Sequence, residues 1–306
     1  MLPLSLALVL SASPTLSLRA RVDGQPPAPG WVYAREGQRV VLEAAVTGAT
    51  PTSFAWFKLE PTVESVDNTQ PSFHFVSIPY EAIELERCRD QPRCEADVTP
   101  TRLKATHPGL GTMAFQVKAT LPGGKELASP GLEAQVSGGL SRQVMRVTFR
   151  QSDSYLGYLT ELFNTPYIFG SAGEGAKNQS DLLIGSDCAD LAVYGRRRMG
   201  RRAEYTSSFG IDRQAPLVAA AVAQSDAGVA LDAQGRPITA ARPGDLLHFP
   251  GSRHVAVLYE DREPKGVLDA NDLMLHTCWA PPTIEPVGAS SCASFPWRIL
   301  RFPDAR

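Results

Sequence analysis

The chain reads as a multidomain protein, an N-terminal all-β sandwich followed by a C-terminal α+β domain. Three observations predict this. The chain has 306 residues, more than one typical domain. Short β-type runs punctuated by Gly and Pro occupy its first half. Helical periodicity sets in only after Ser152.

Residues 2–10 form a short apolar core followed by small residues up to Ala20, which reads as a secretory signal over residues 1–20 and predicts an exported protein, periplasmic or extracellular. No basic residue precedes that core, a departure from the usual signal pattern. No other run approaches transmembrane length. Residues 21–138 carry the sandwich. Residues 40–46 form an apolar strand, Trp56 follows at sandwich-like spacing, and further strands are predicted over residues 73–78, 95–98 and 113–119. This part resembles an immunoglobulin-like domain, although Leu42 or Ala44 and Val117 stand where an inter-sheet disulfide would need cysteines. Such a domain can bind a polymer, a protein partner or only its own neighbouring domain. Gly138-Gly139 marks the boundary, with the strand at residues 144–149 assignable to either side.

The second domain spans residues 139–306. Tyr155, Leu156, Leu159, Leu162 and Phe163 recur at helical spacing and stop at Asn164-Thr165-Pro166. A second helix begins at Cys188 with Ser186 or Asp187 as its cap and runs towards Gly200. The Arg196-Arg197-Arg198 and Arg201-Arg202 cluster then reads as a solvated C-terminal cap. Beyond Pro243-Gly244-Asp245 two strands follow, residues 246–250 and 254–259, and Asp245 fixes the turn before them.

Composition excludes a polyanion-binding protein. Lys and Arg number 15 against 14 Asp and Glu in residues 1–150 and 15 against 18 in the remainder, so neither half is a nucleic-acid module. Four of the five cysteines form local pairs, Cys88 with Cys94 and Cys278 with Cys292, each close enough for a disulfide across a short loop. Cys188 is left over. At the start of a helix, the partial positive charge of the free N–H groups favours its thiolate. His254 is the candidate base, His276 the group that orients it, and the first amides of the Cys188 helix the oxyanion donors. This chemistry requires no cofactor or metal. The rival is a metal centre of His248, His254, His276 and Cys278; Cys88 and Cys94 with His74 and His107 are a weaker zinc set. Cys188 as a buried structural thiol and His248 as a plain strand residue are the bland alternatives.

The order of short motifs carries a resemblance. Thr165-Pro166-Tyr167-Ile168-Phe169-Gly170, Ser186-Asp187-Cys188-Ala189-Asp190-Leu191, Arg242-Pro243-Gly244-Asp245-Leu246-Leu247-His248-Phe249, His254-Val255-Ala256-Val257-Leu258-Tyr259 and Leu275-His276 together resemble the NlpC/P60 family of papain-like cell-wall cysteine peptidases over residues 152–280. The resemblance implies a papain-like fold and hydrolysis of a peptide or isopeptide bond in peptidoglycan stem peptides. It puts Cys188 in the nucleophile's place, His254 in the base's, His276 in the third polar position, and Tyr167 and Asp187 beside the substrate. Two departures stand out: Ala189-Asp190 replaces the family's Ser-Gly pair, and Gly170-Ser171 replaces its paired glycines. Residues 171–185 and 260–272 are longer than the family's connections, which implies a partly covered or reshaped cleft. An amidase or acyltransferase with the same dyad, and a non-catalytic binding module, are the alternative readings.

Overall fold

A computed structural model describes residues 13–104, 107–173 and 178–303. The chain is mostly β-sheet. The two α-helices among the described residues, Tyr155–Leu159 and Cys188–Arg198, have only 5 and 11 residues. An immunoglobulin-like sandwich joined to an α+β papain-like domain is therefore not the fold adopted. Helical spacing after Ser152 yields one turn and a half, because Thr160 turns its hydroxyl back onto the Gly157 carbonyl and the chain tightens into a 3-10 turn over Thr160–Leu162. Asn164, in the left-handed region at φ 67°, ends it.

The N-terminal strands make two facing sheets. One has Thr15–Val22 and Val40–Thr47 at its centre; the other runs in the order Trp31–Arg35, Met145–Arg150, Gly111–Thr120, Ser53–Pro61, Tyr80–Glu84. Leu18, Ala20 and Leu42 from the first sheet share a core with Trp56, Phe115 and Val147 from the second. The expected leader falls partly on residues 1–12, outside the described residues. Its other part is the strand Thr15–Val22, paired along its full length with Val40–Thr47. The expected strand at residues 73–78 does not form, since Asn68 takes its amides: the Asn68 carbonyl accepts from His74 N–H at 2.9 Å and its Oδ1 from Val76 N–H at 3.0 Å. Both expected disulfides are present. No helix among the described residues is long and apolar enough to cross a membrane.

Residue 138 does not divide the chain into two independent units. Met145–Arg150 belongs to an N-terminal sheet, where it pairs parallel with Trp31–Arg35 and antiparallel with Gly111–Thr120. Tyr167–Phe169 pairs parallel with Ser65–Asp67. One buried cluster runs from Trp56 and Phe115 through Leu159, Phe163, Leu191 and Tyr194 to Val255 and Leu275. Gly195 lets the two helices touch, because a Cβ there would lie 2.5 Å from Leu159 Cδ2. The C-terminal residues form a six-stranded antiparallel sheet in the order Leu217–Ala221, Trp297–Leu300, Leu246–Phe249, His254–Glu260, Leu273–His276, Thr283–Pro286.

The arginine cluster is not simply a solvated cap. Glu161 is fully buried and takes Arg198 through two bonds of 2.6 and 2.9 Å, Arg150 at 3.3 Å and the Tyr194 hydroxyl at 2.5 Å. Arg197 pairs with Asp181 at 3.1 Å. Removing a partner from such a buried network leaves charge and hydroxyl unpaired, which costs roughly 3–5 kcal/mol. Glu161→Ala is expected to lower unfolding stability by about that much in urea titration, and a change under about 1 kcal/mol would show the network to be expendable.

Candidate active site

Cys188 opens its helix because Asp187 caps it: Asp187 Oδ1 accepts the Asp190 N–H at 2.8 Å. Ser186, the other expected cap, has an unpartnered hydroxyl. The two positions that depart from the NlpC/P60 pattern bond to each other. Ser171 Oγ donates to Asp190 Oδ2 at 2.5 Å and accepts the Asp187 N–H at 3.1 Å. The side chains at these two positions thus form one hydrogen-bonded pair beside the start of the Cys188 helix. Burial pushes the Asp187 carboxyl up to about 6 against the hydrogen bonds it receives, and Asp190 is pushed well above the carboxylate range by burial and then by the neighbouring Asp187.

Cys188 is the free cysteine, 9% exposed, and its sulfur receives the Val255 backbone N–H, the amide immediately after His254. The thiol does not show the low pKa expected of a helix N-terminus. Burial pushes it far above the usual thiol range, the Asp187 charge adds to this, and the Val255 and Ala189 amides only partly offset both. At rest the site therefore holds a neutral thiol.

Strand pairing organises the imidazoles. Phe249 lies directly opposite His254, and their rings stack at 5.9 Å with 7° between planes. Val257 pairs with Leu275, so alternation puts His254 and His276 on the same face of the sheet. His254 Nε2 lies 2.9 Å from His276 Nδ1, and His276 Nε2 lies 2.9 Å from Glu285 Oε1. The proton order follows from the acceptor at the end of this chain. Glu285, its pKa lowered by His276, accepts the Nε2–H of His276; His276 Nδ1 accepts the Nε2–H of His254; and Nδ1 of His254 keeps its lone pair. Burial, aided by the neighbouring His276 and His248 rings, which disfavour a second positive charge, lowers the His254 pKa to about 3, so its imidazole is neutral.

Glu285 is one residue that sequence reading missed. It stands on the strand next to His276, diagonally across from it, and no spacing rule joins the two. Glu285→Ala is expected to lower turnover roughly tenfold by releasing the tautomer and removing the charge that steadies a His254 imidazolium. The acid limb of the pH profile should move to lower pH in the same variant, which marks Glu285 as a positioning residue; a limb that does not move would make it a spectator.

A cleft of about 340 Å³ opens over Cys188, lined by Tyr167, Phe169, Asp187, Tyr205, Phe209 and Arg253 among others. Trp279 stacks on Phe169 at 5.8 Å and tilts over Tyr167 at 5.0 Å, and it is 56% exposed, as is Phe209. Tyr167 lines this cleft with Cys188, while the carboxylate of Asp187 is taken up by backbone amides of Asp190, Ala189 and Gly170. Sequence reading passed over Phe209 and Trp279, which look like isolated surface aromatics until the fold gathers them. Residues 174–177 of the longer connection lie outside the described residues. The part that follows turns to the N-terminal strands, where Gln179 bonds Asn68 and the Ser137 carbonyl. Another groove, about 420 Å³ beside Glu36, Arg87 and Glu95, contains no nucleophile.

The rival metal sets are not assembled. His248 pairs with Val255 and so faces away from His254. Cys88 is bonded to Cys94, His74 turns to the Ser72 carbonyl, and His107 stacks on Phe163. Comparison of the chain with protein-family models, curated proteins and solved structures finds no match, so the site stands on its own chemistry.

Proposed function

We propose that this protein is an exported cysteine hydrolase that cleaves peptide or isopeptide bonds in peptidoglycan stem peptides, with Cys188 as nucleophile and His254 as general base. The observation that supports this reading is the ordered line of donors and acceptors from Glu285 through His276 to His254, whose free lone pair belongs to the residue next to the amide that holds the Cys188 sulfur. His254 takes the thiol proton as the sulfur attacks the scissile carbonyl. It then returns that proton to the leaving amine, and the same base activates water against the thioester. The Cys188 N–H, first amide of its helix and without an intrahelical acceptor, is the donor for the oxyanion. Tyr167, Phe169 and Trp279 offer a wall for the substrate's apolar surface. The stem-peptide assignment rests on the motif order.

The test is release of a new amine from purified stem peptides and from intact peptidoglycan, read by mass spectrometry. Release by the wild type and none by Cys188→Ala supports the proposal. No release, with the same thiol-dependent activity on simple amides, would move the assignment to an amidase.

A further inference from the structure

We propose that His254, Cys278 and Cys292 form a zinc site when the disulfide between the two cysteines is reduced. A ring nitrogen of His254 and the two sulfurs lie within 4.8 Å of one another, the one such cluster among the described residues. Imidazole nitrogen and two thiolates are a ligand set that zinc takes, with water in the fourth position. In the oxidised chain the sulfurs are bonded to each other and offer no thiolate.

The frame that keeps these groups together does not depend on the sulfur–sulfur bond. Cys278 follows the strand Leu273–His276, and the next turn is tied by Thr277 Oγ1 to the Ala280 carbonyl at 2.7 Å. The Cys292 carbonyl accepts the Ser252 hydroxyl at 2.5 Å, two residues before His254 in the chain, and its N–H donates to Ser290 Oγ at 3.3 Å. The Cα atoms are 6.7 Å apart. That separation lets the sulfurs part to the ~3.8 Å that two ligands of a tetrahedral zinc require at about 2.3 Å from the metal. Both cysteines are half-buried, within reach of a small reductant.

The chemistry balances. A dithiol gives two electrons and two protons to the Cys278–Cys292 bond and closes to its own disulfide; zinc then displaces the two thiol protons to solvent. Zinc on His254 withdraws the lone pair that hydrolysis needs. That consequence rests on the proposed function, whereas the metal site does not. A chain not yet oxidised would then carry its base under metal, and forming the disulfide would release it.

The experiment uses full-length Cys188→Ala, which removes the free thiol outside the disulfides and makes the readout independent of hydrolysis. Protein reduced with dithiothreitol and desalted without oxygen is titrated with Co2+, a spectroscopic stand-in for zinc. The expected result is one Co2+ per chain with a thiolate-to-metal charge-transfer band, displaced by zinc and absent from the oxidised protein. The band should vanish in Cys188→Ala/Cys278→Ser. In Cys188→Ala/His254→Gln, which keeps both sulfurs, affinity should fall roughly tenfold or more. No band in the reduced protein overturns the proposal, and so does an unchanged band in the Cys278 variant, which would put the metal on Cys88 and Cys94.

Discussion

Cys188→Ala is expected to lower kcat/KM on stem peptides by about 10⁴-fold or more while leaving the fold intact. The size follows from the absence of a substitute. Ser171, whose hydroxyl lies at the start of the Cys188 helix, is already committed to Asp190 and to the Asp187 amide. Removing the sulfur of Cys188, itself only 9% exposed, leaves one Val255 N–H without its acceptor, which costs about 1 kcal/mol of stability. Unfolding curves for wild type and variant should therefore nearly coincide. Residual turnover within about tenfold of wild type would assign the reaction to another group, and a thiol-independent activity would end the cysteine-hydrolase reading.

What the sequence made legible was local. The cap at Asp187, the helix start at Cys188, the two short-range disulfides and the His254 strand each rest on residues a few positions apart. A thiol at a helix N-terminus was legible in the same way, but its ionisation was not. The helix favours the thiolate by a fixed local amount, while burial against the C-terminal sheet and the charge of Asp187 oppose it from groups whose closeness only the fold defines. Domain layout failed for a related reason. Gly138-Gly139 looks like a linker, yet Met145–Arg150 finds its partners more than a hundred residues back at Trp31–Arg35, and Tyr167–Phe169 pairs with Ser65–Asp67. Pairing of that range leaves no periodic trace in either strand. Glu285 and Trp279 were hidden likewise, one reaching His276 across a strand pair and the other reaching the cleft by stacking on Phe169.

His254→Ala is expected to lower turnover by about 10³-fold, and to do so in a way that separates this site from one holding a preformed thiolate. In a preformed ion pair the sulfur is already charged, and loss of the imidazole leaves some nucleophile behind. Here burial keeps the Cys188 thiol protonated, and the His254 pKa of about 3 keeps the imidazole neutral. Each unit by which the thiol pKa exceeds the ambient pH adds about 1.4 kcal/mol to the cost of making thiolate, so His254 must take the proton during attack. Alkylation of Cys188 by iodoacetamide should accordingly be slow at pH 7 in the wild type and climb with pH, and be slower still in His254→Ala. The acid limb of kcat/KM should lie well below pH 6, because the base stays neutral until its own depressed pKa is approached. Stability shares this origin. As pH falls below about 6.5 the unfolded chain binds the proton that buried His254 refuses, so folded stability is lost by about 1.4 kcal/mol per unit down to its pKa of about 3. His254→Ala removes that loss and should unfold at lower pH than wild type. Rapid alkylation at pH 7 that is indifferent to His254, or a kcat/KM limb at pH 6.5, would mean that thiol and imidazole do not act as this pair.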